Sequence, residues 1–211
     1  MDFETLQREL YKIYLSSPTN LFDEFVNVAK AWYEQPAHSF GEMRRRENKK
    51  LRGDIFEMFC VLYLRNRYIN SYLLKDIHVD LLNRLGIRSR DMGIDLIVED
   101  NGKFYAVQCK YKTPNNRDNI VSWKSLSTFY ALCLRSGPWD KYIVMTNCTC
   151  ARHEGRKTDK DLSICLGTFR NITSDEWLKM CGLQGNVLNS IVEPIKNDIN
   201  KIREARLARF G

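Results

Sequence analysis

Residues 93–112, GIDLIVEDNGKFYAVQCKYK, decide how this chain is read. Two runs rich in Ile, Val, Leu, Phe and Tyr flank Asn101-Gly102. That dipeptide is a strong hairpin signal, because both central residues of the favoured two-residue turn need positive φ. The strands read as buried, yet they carry Asp95, Gln108 and Lys110. With Asn101-Gly102 as the loop, Asp100 opposes Lys103, Val98 opposes Tyr105, Ile97 opposes Ala106 and Asp95 opposes Gln108. Opposed residues have Cβ atoms about 4.5–5.5 Å apart, and Lys110 lies diagonally from Asp95 at roughly 7–8 Å. This register gathers Asp95, Gln108 and Lys110 on one face. It sends Ile94, Leu96, Val98, Tyr105 and Val107 to the other, as core. Burying an uncompensated carboxylate is costly. Two compensations fit the residues: a hydrogen-bonded or ion-paired cluster, or a hard divalent cation such as Mg²⁺ or Mn²⁺ held by oxygen ligands.

Working outward, residues 3–14 and about 20–34 read as helices separated by SSPTN, with Thr19 or Asn20 as cap of the second. MRRRENKKLRG, residues 43–53, is a dense basic stretch, read as a solvated helix start or linker, or as a phosphate-contacting surface or targeting signal. GDIFEMFCVLYLRNRY, residues 53–68, predicts a strongly apolar helix opening at Gly-Asp. DIHVDLL suggests a first strand, and Gly86 to Gly93 a basic connector. Beyond the hairpin, residues 119–136 predict a helix ended by Gly137-Pro138, KYIVMTN a buried strand, and SICLGTFRNI another strand. Ser174 or Asp175 would open a short helix. From about residue 186, Leu188, Ile191, Val192, Ile195, Ile199 and Ile202 keep a helical stripe interrupted at Pro194. The order is α-β-β-β-α-β, an α/β fold with a mixed sheet between helices. A helical extension over 1–50, a core over 51–182 and a C-terminal helix over 183–211 follow.

The chain has 211 residues, 44% of them hydrophobic and 28% charged, as in an ordinary globular protein with a real core. It has no apolar run of about 18 residues, so no membrane-spanning helix is expected. Its N-terminus does not read as a secretory signal. Seven scattered cysteines suggest reduced thiols and an intracellular setting, cytoplasmic or nuclear. The formal charge of +7 favours a polyanionic partner without saying which.

DMGIDLIVEDNGKFYAVQCKYK resembles the core motif of the PD-(D/E)XK nuclease superfamily. It is closest to the Mrr-like restriction-endonuclease branch, whose pattern runs roughly G-D-x-G-I-D, hairpin, Q-x-K. GDIFEMFCVLYLRNRY is similar to that family's first core helix with its G-x-x-F-E signature. The resemblance implies a restriction-endonuclease-like fold and a metal-dependent DNA endonuclease. Asp95 would be the central metal ligand, Gln108 a ligand through its amide oxygen, and the Cys109 carbonyl a backbone ligand. Lys110 would position water and stabilise developing charge, and Glu57 would complete the metal shell. The metal would serve as Lewis acid and water activator. Two departures stand out. Arg90-Asp91 replaces the usual Gly-Asp, so Arg90 faces a phosphate in this reading. Neutral Gln108 gives one negative charge fewer than the acidic form, which implies weaker metal binding and one ion rather than two.

Basic side chains available to DNA are Arg44, Arg45, Arg46, Lys49, Lys50, Arg52, Arg90, Lys112, Lys124, Arg152, Arg156 and Lys157, with His153 among them. Trp123 and Trp139 are either core or stacking surfaces for unpaired bases. Cys148, Cys150 and His153, with Cys165, invite a zinc reading, against reduced thiols at a strand end. Thr146 matches a threonine of Mrr-like proteins at the site's edge. There is no nucleophile elbow, Walker loop or dinucleotide fingerprint. The alternative to an endonuclease is a catalytically weak nuclease-fold module that binds DNA within a larger, helicase-linked machine. RNA is a lesser option. The trailing helix would serve a homodimer or lead to further domains.

Overall fold

The computed structural model describes residues 1–33, 41–88, 93–113, 119–152 and 158–183, with the backbone alone at 33 and 41–49. The expectations for Arg90, His153, Arg156, Lys157 and the stripe from Leu188 lie outside these residues, as do the side chains of Arg44, Arg45, Arg46 and Lys49.

The hairpin forms as the turn chemistry dictates. Strands β2 (Leu96–Asp100) and β3 (Lys103–Lys110) meet at Asn101 and Gly102, which take φ of 50° and 77°. The pairs Ile97–Ala106, Val98–Tyr105 and Asp100–Lys103 hold as expected. Strand β1 (Asn70–Leu73) pairs antiparallel to β2, while β5 (Lys141–Thr146) and β7 (Asp161–Ile164) add parallel strands beyond β3. The sheet order is β1-β2-β3-β5-β7, with β3 central. A separate two-stranded parallel ladder joins β4 (Ile120–Val121) to β6 (Cys150–Ala151).

A sheet with parallel strands needs cover on both faces, and it has two apolar layers. On one side Leu96, Val98, Tyr105, Val107, Ile143 and Met145 pack with α1 (Phe3–Leu15), α2 (Leu21–Tyr33), α3 (Gly41–Arg65) and α7 (Ser174–Met180). On the other, Ile97, Phe104, Ala106 and Val144 pack with α4 (Val79–Leu85) and α5 (Ser127–Cys133). From Ile55 to Leu64 only Glu57 escapes burial on α3, so this helix is enclosed nearly all round. Helices α1 and α2 are part of the same core: Phe25 stacks on Phe59 at 4.4 Å, and the Trp177 indole N–H donates to the Leu10 carbonyl at 2.9 Å. Asn20 caps α2, its Oδ1 accepting from the amides of Phe22 and Asp23.

Four local readings change. The basic stretch does not end at Gly53 but runs on as helix from Gly41, since Arg, Lys, Glu and Met are good helix formers and one glycine costs only about 1 kcal/mol. The first strand is Asn70–Leu73, not DIHVDLL. His78 caps α4 by accepting from the Asp80 amide, and Gly86 closes it in the left-handed region at φ 65°. The helix expected over 119–136 is broken into β4, a 3₁₀ turn at Trp123–Ser125 and α5, because Val121 is drawn into the ladder with Ala151. SICLGTFRNI divides after Ile164, where Leu166–Arg170 form helix α6 and bury Phe169 against Phe22 and Tyr63. No helix among the described residues is long and apolar enough to cross a membrane.

Candidate active site

Asp95 sits just before β2, where the hairpin's pairing slips. Its N–H donates to the Val107 carbonyl at 2.9 Å, although Val107 is already the partner of Leu96. Two residues of one strand thus oppose one of the other, which bends the strand and re-aims a side chain. This corrects two expectations: Asp95 pairs through its backbone with Val107 instead of opposing Gln108, and the residue before it changes sides. Ile94 does not join Leu96 and Val98; it is buried in the opposite layer with Ile97. On the far side, the Asp95 carbonyl accepts the Leu74 amide at 2.9 Å, so Asp95 is held by the residue that follows β1 as well as by β3.

Gly93 makes this approach possible. Its φ is 129°, and an added Cβ would lie 3.1 Å from backbone atoms of Thr128 and Phe129 on α5. Gly93→Ala is expected to destabilise the fold by roughly 1–3 kcal/mol through the strained backbone alone. Urea denaturation measures this, and an unchanged midpoint would remove the steric account.

The re-aimed carboxylate meets the end of β3. Asp95 Oδ2 accepts the Cys109 amide at 2.7 Å and a side-chain N–H of Gln108, which is 3% exposed. Gln108 Nε2 also reaches the Cys109 carbonyl at 3.5 Å. Lys110 ends β3 opposite Thr146, whose hydroxyl donates to the Lys110 carbonyl at 2.6 Å. Glu57 faces this group from α3. Burial first, then the charges of Asp95 and Asp54, push its pKa up to about 7, against the opposing pull of Lys75 and Lys110. Burial also raises Asp95, outweighing the Cys109 amide, the Lys110 charge and the Gln108 hydrogen bond. Asp95, Gln108 and Cys109 are therefore in direct contact, with Glu57 and Lys110 in electrostatic range. Below them the Cys109 and Cys60 thiols share the buried layer under α3, both raised chiefly by burial.

Lys75 and Asp54 were not singled out in the sequence. Lys75 was hidden by the misplaced first strand; it follows Leu74, the residue bonded to Asp95. Asp54 lies one helical turn from Glu57, a spacing that could have flagged it.

The basic side chains are distributed unevenly. Arg52 donates to the Thr113 hydroxyl, bridging α3 to the segment after β3. The Lys112 ammonium donates to the Ile120 carbonyl and is thus tied to β4. Lys50, Lys124 and Arg152 are exposed. Trp139 is core, 4% exposed, with its N–H on Ser136 Oγ. Trp123 is half-buried and stacks on Tyr130 at 4.9 Å. Cys148 is buried, Cys150 exposed and Cys165 half-buried, and none of the three is in a disulfide. Among the described residues, no three His, Cys, Asp or Glu side chains gather as a metal site. Any cation held at Asp95 would draw on two carboxylates plus amide and carbonyl oxygens.

A five-stranded mixed sheet between helices, with this polar cluster where β2 and β3 part, defines a restriction-endonuclease-like fold. The chain belongs to the restriction endonuclease family: the family model Mrr_cat_2, described as restriction endonuclease, matches residues 66–171, half of its length. Its class is that of DNA nucleases. The matched span includes Asp95, Gln108 and Lys110 and begins after Glu57. No curated protein and no solved structure matches the chain.

Proposed function

We propose that this chain is a metal-dependent endonuclease that hydrolyses phosphodiester bonds in DNA through Asp95, Glu57, Gln108 and Lys110. One observation carries the reading: two half-buried carboxylates from different elements, Asp95 and Glu57, lie in electrostatic range of each other at the end of β3, beside its amide and carbonyl oxygens and a lysine. Each acid is held above its ordinary pKa, and Glu57 has no ion-pair or hydrogen-bond partner among the described residues. Such oxygen donors suit Mg²⁺ or Mn²⁺. Asp95, Glu57, Gln108 Oε1 and the Cys109 carbonyl would hold the ion. When bound, it would supply Lewis acidity at the phosphoryl oxygens and a more acidic water. Lys110 orients the attacking water and places positive charge where negative charge grows on the phosphate. The exposed Lys50, Lys124 and Arg152 supply sequence-independent attraction to the backbone. Lacking a Walker loop, the chain would cut, and a helicase-type partner would move DNA if the two are linked.

The deciding assay incubates the protein with plasmid, single-stranded and branched DNA in Mg²⁺, Mn²⁺ or EDTA. Cation-dependent nicking is expected; cleavage that persists in EDTA, or none under any condition, would overturn the reading. One feature favours a weakly active DNA-binding module instead. Two N–H donors already occupy Asp95 Oδ2, so the Gln108 amide must turn before its oxygen can face a cation. Gln108→Glu removes that obstacle and adds a negative charge. It is expected to tighten Mn²⁺ binding about tenfold, or ~1.4 kcal/mol, in calorimetry, and unchanged affinity would exclude Gln108 from the cation's surroundings.

A further inference from the structure

We propose that Asn147 is a positioning residue for Lys110, acting as a one-residue prosthetic strand where β5 leaves the sheet. This deepens the endonuclease reading and depends on it for its catalytic consequence.

Backbone pairing between β3 and β5 stops at Lys110 and Thr146. Beyond that pair the chain of β5 turns away: the Thr149 amide bonds to Asn119, and the Cys148 carbonyl accepts from Leu166. The segment after Lys110 would then lose its neighbour on that side. Side chains replace the missing strand. The Thr146 hydroxyl donates to the Lys110 carbonyl at 2.6 Å and accepts the Cys148 amide at 3.1 Å. Asn147, only 3% exposed, uses both ends of its amide on one residue. Its Oδ1 accepts the Lys112 N–H at 2.8 Å, and its Nδ2 donates to the Lys112 carbonyl at 2.7 Å. That is the donor–acceptor pattern of a strand neighbour, supplied by a side chain. A buried asparagine whose oxygen and nitrogen are both matched to a backbone is highly specific in orientation.

The consequence is local to the site. Lys110 is followed two residues later by this double clamp, and the Lys112 ammonium is tied to Ile120. Across the hairpin, β2 is bent away at Asp95. The two strands therefore diverge with one side fixed by the slip and the other by Asn147, and the gap between them holds Asp95, Gln108 and Lys110. Without the clamp, Lys112 loses both of its backbone partners on that flank, and the strand end that sets where the Lys110 ammonium stands is less firmly held. Misplacement by about 1 Å can cost up to 100-fold in rate.

The test compares Asn147→Ala with Asn147→Asp, which keeps the acceptor for the Lys112 amide. Two readouts are taken. In DNA cleavage with Mg²⁺, kcat should fall on the order of 10-fold to 100-fold in Asn147→Ala with KM nearly unchanged, and by less in Asn147→Asp. Without metal or DNA, the rate of Lys110 acylation, followed by mass spectrometry, should rise several-fold. The rate at Lys103, out at the hairpin turn, should stay constant. Unchanged Lys110 labelling in folded Asn147→Ala overturns the proposal, as does an equal rise at Lys103, which would signal general loosening. If the wild type cuts no DNA, the endonuclease reading fails by itself, and the labelling contrast still decides whether Asn147 holds Lys110.

Discussion

Replacing Asp95 with asparagine, or Lys110 with alanine, is expected to reduce DNA cleavage by about 10²–10³-fold, while DNA binding changes little. The magnitude follows from removing a group that acts on charge in the transition state, where single donors are worth 10²–10³ in rate. Binding is spared because backbone affinity is summed over many exposed cations. Asparagine is the informative change at Asp95. It keeps an acceptor for the Cys109 amide, bonded at 2.7 Å, whereas alanine would leave that buried donor unmatched at about 1–3 kcal/mol. Loss of cleavage in Asp95→Asn at wild-type stability thus isolates chemistry from folding. Plasmid nicking and a gel-shift titration measure the two quantities, and nicking at near wild-type rates by both variants would end the assignment.

The second large effect concerns stability against pH. Glu57 ordinarily titrates near 4.5 and is pushed up to about 7 in the fold. Below pH 4.5 it is neutral in both folded and unfolded chains, so it costs nothing. Between 4.5 and 7 the unfolded chain ionises while the folded one keeps its proton, and stability falls as pH rises. Above 7 the cost is complete, at most about 3 kcal/mol at roughly 1.4 kcal/mol per pH unit. Asp95, also raised by burial, adds in the same direction. Metal-free protein should therefore be less stable at pH 8 than at pH 5, and Glu57→Gln should flatten the difference. Adding Mg²⁺ should restore stability at pH 8 and do little at pH 5. Urea denaturation at the two pH values provides the measurement; an identical slope in Glu57→Gln would mean that Glu57 is not the responsible acid.

The sequence carried the hairpin clearly because two independent signals agreed there. Asn101-Gly102 demanded a tight turn, and the flanking β-rich runs had matching lengths. The same agreement made Asp95, Gln108 and Lys110 legible as a group. What failed was extrapolation past the ladder. The turn fixes register only as long as pairing is regular, and the slip at Asp95 moved Ile94 to the other layer, a change no alternation pattern announces. The first strand was missed for a different reason. Asn70–Leu73 is four residues long, while Ile77, Val79 and Leu81 alternate like a strand although His78 and Gly86 cap a helix there. Asn147 gave no signal at all. An asparagine after an apolar strand reads as a turn residue, and only its contacts across 35 positions reveal its use.

The slipped pairing at Asp95 also sets what can give way when a substrate arrives. Val107 is shared by two amides, and β3 is flanked by strands on both sides beneath two apolar layers. The sheet beneath Asp95 is thus anchored from both sides. On the other flank of β3's end the tie is made by side chains, where Arg52 of α3 donates to the Thr113 hydroxyl beyond the strand.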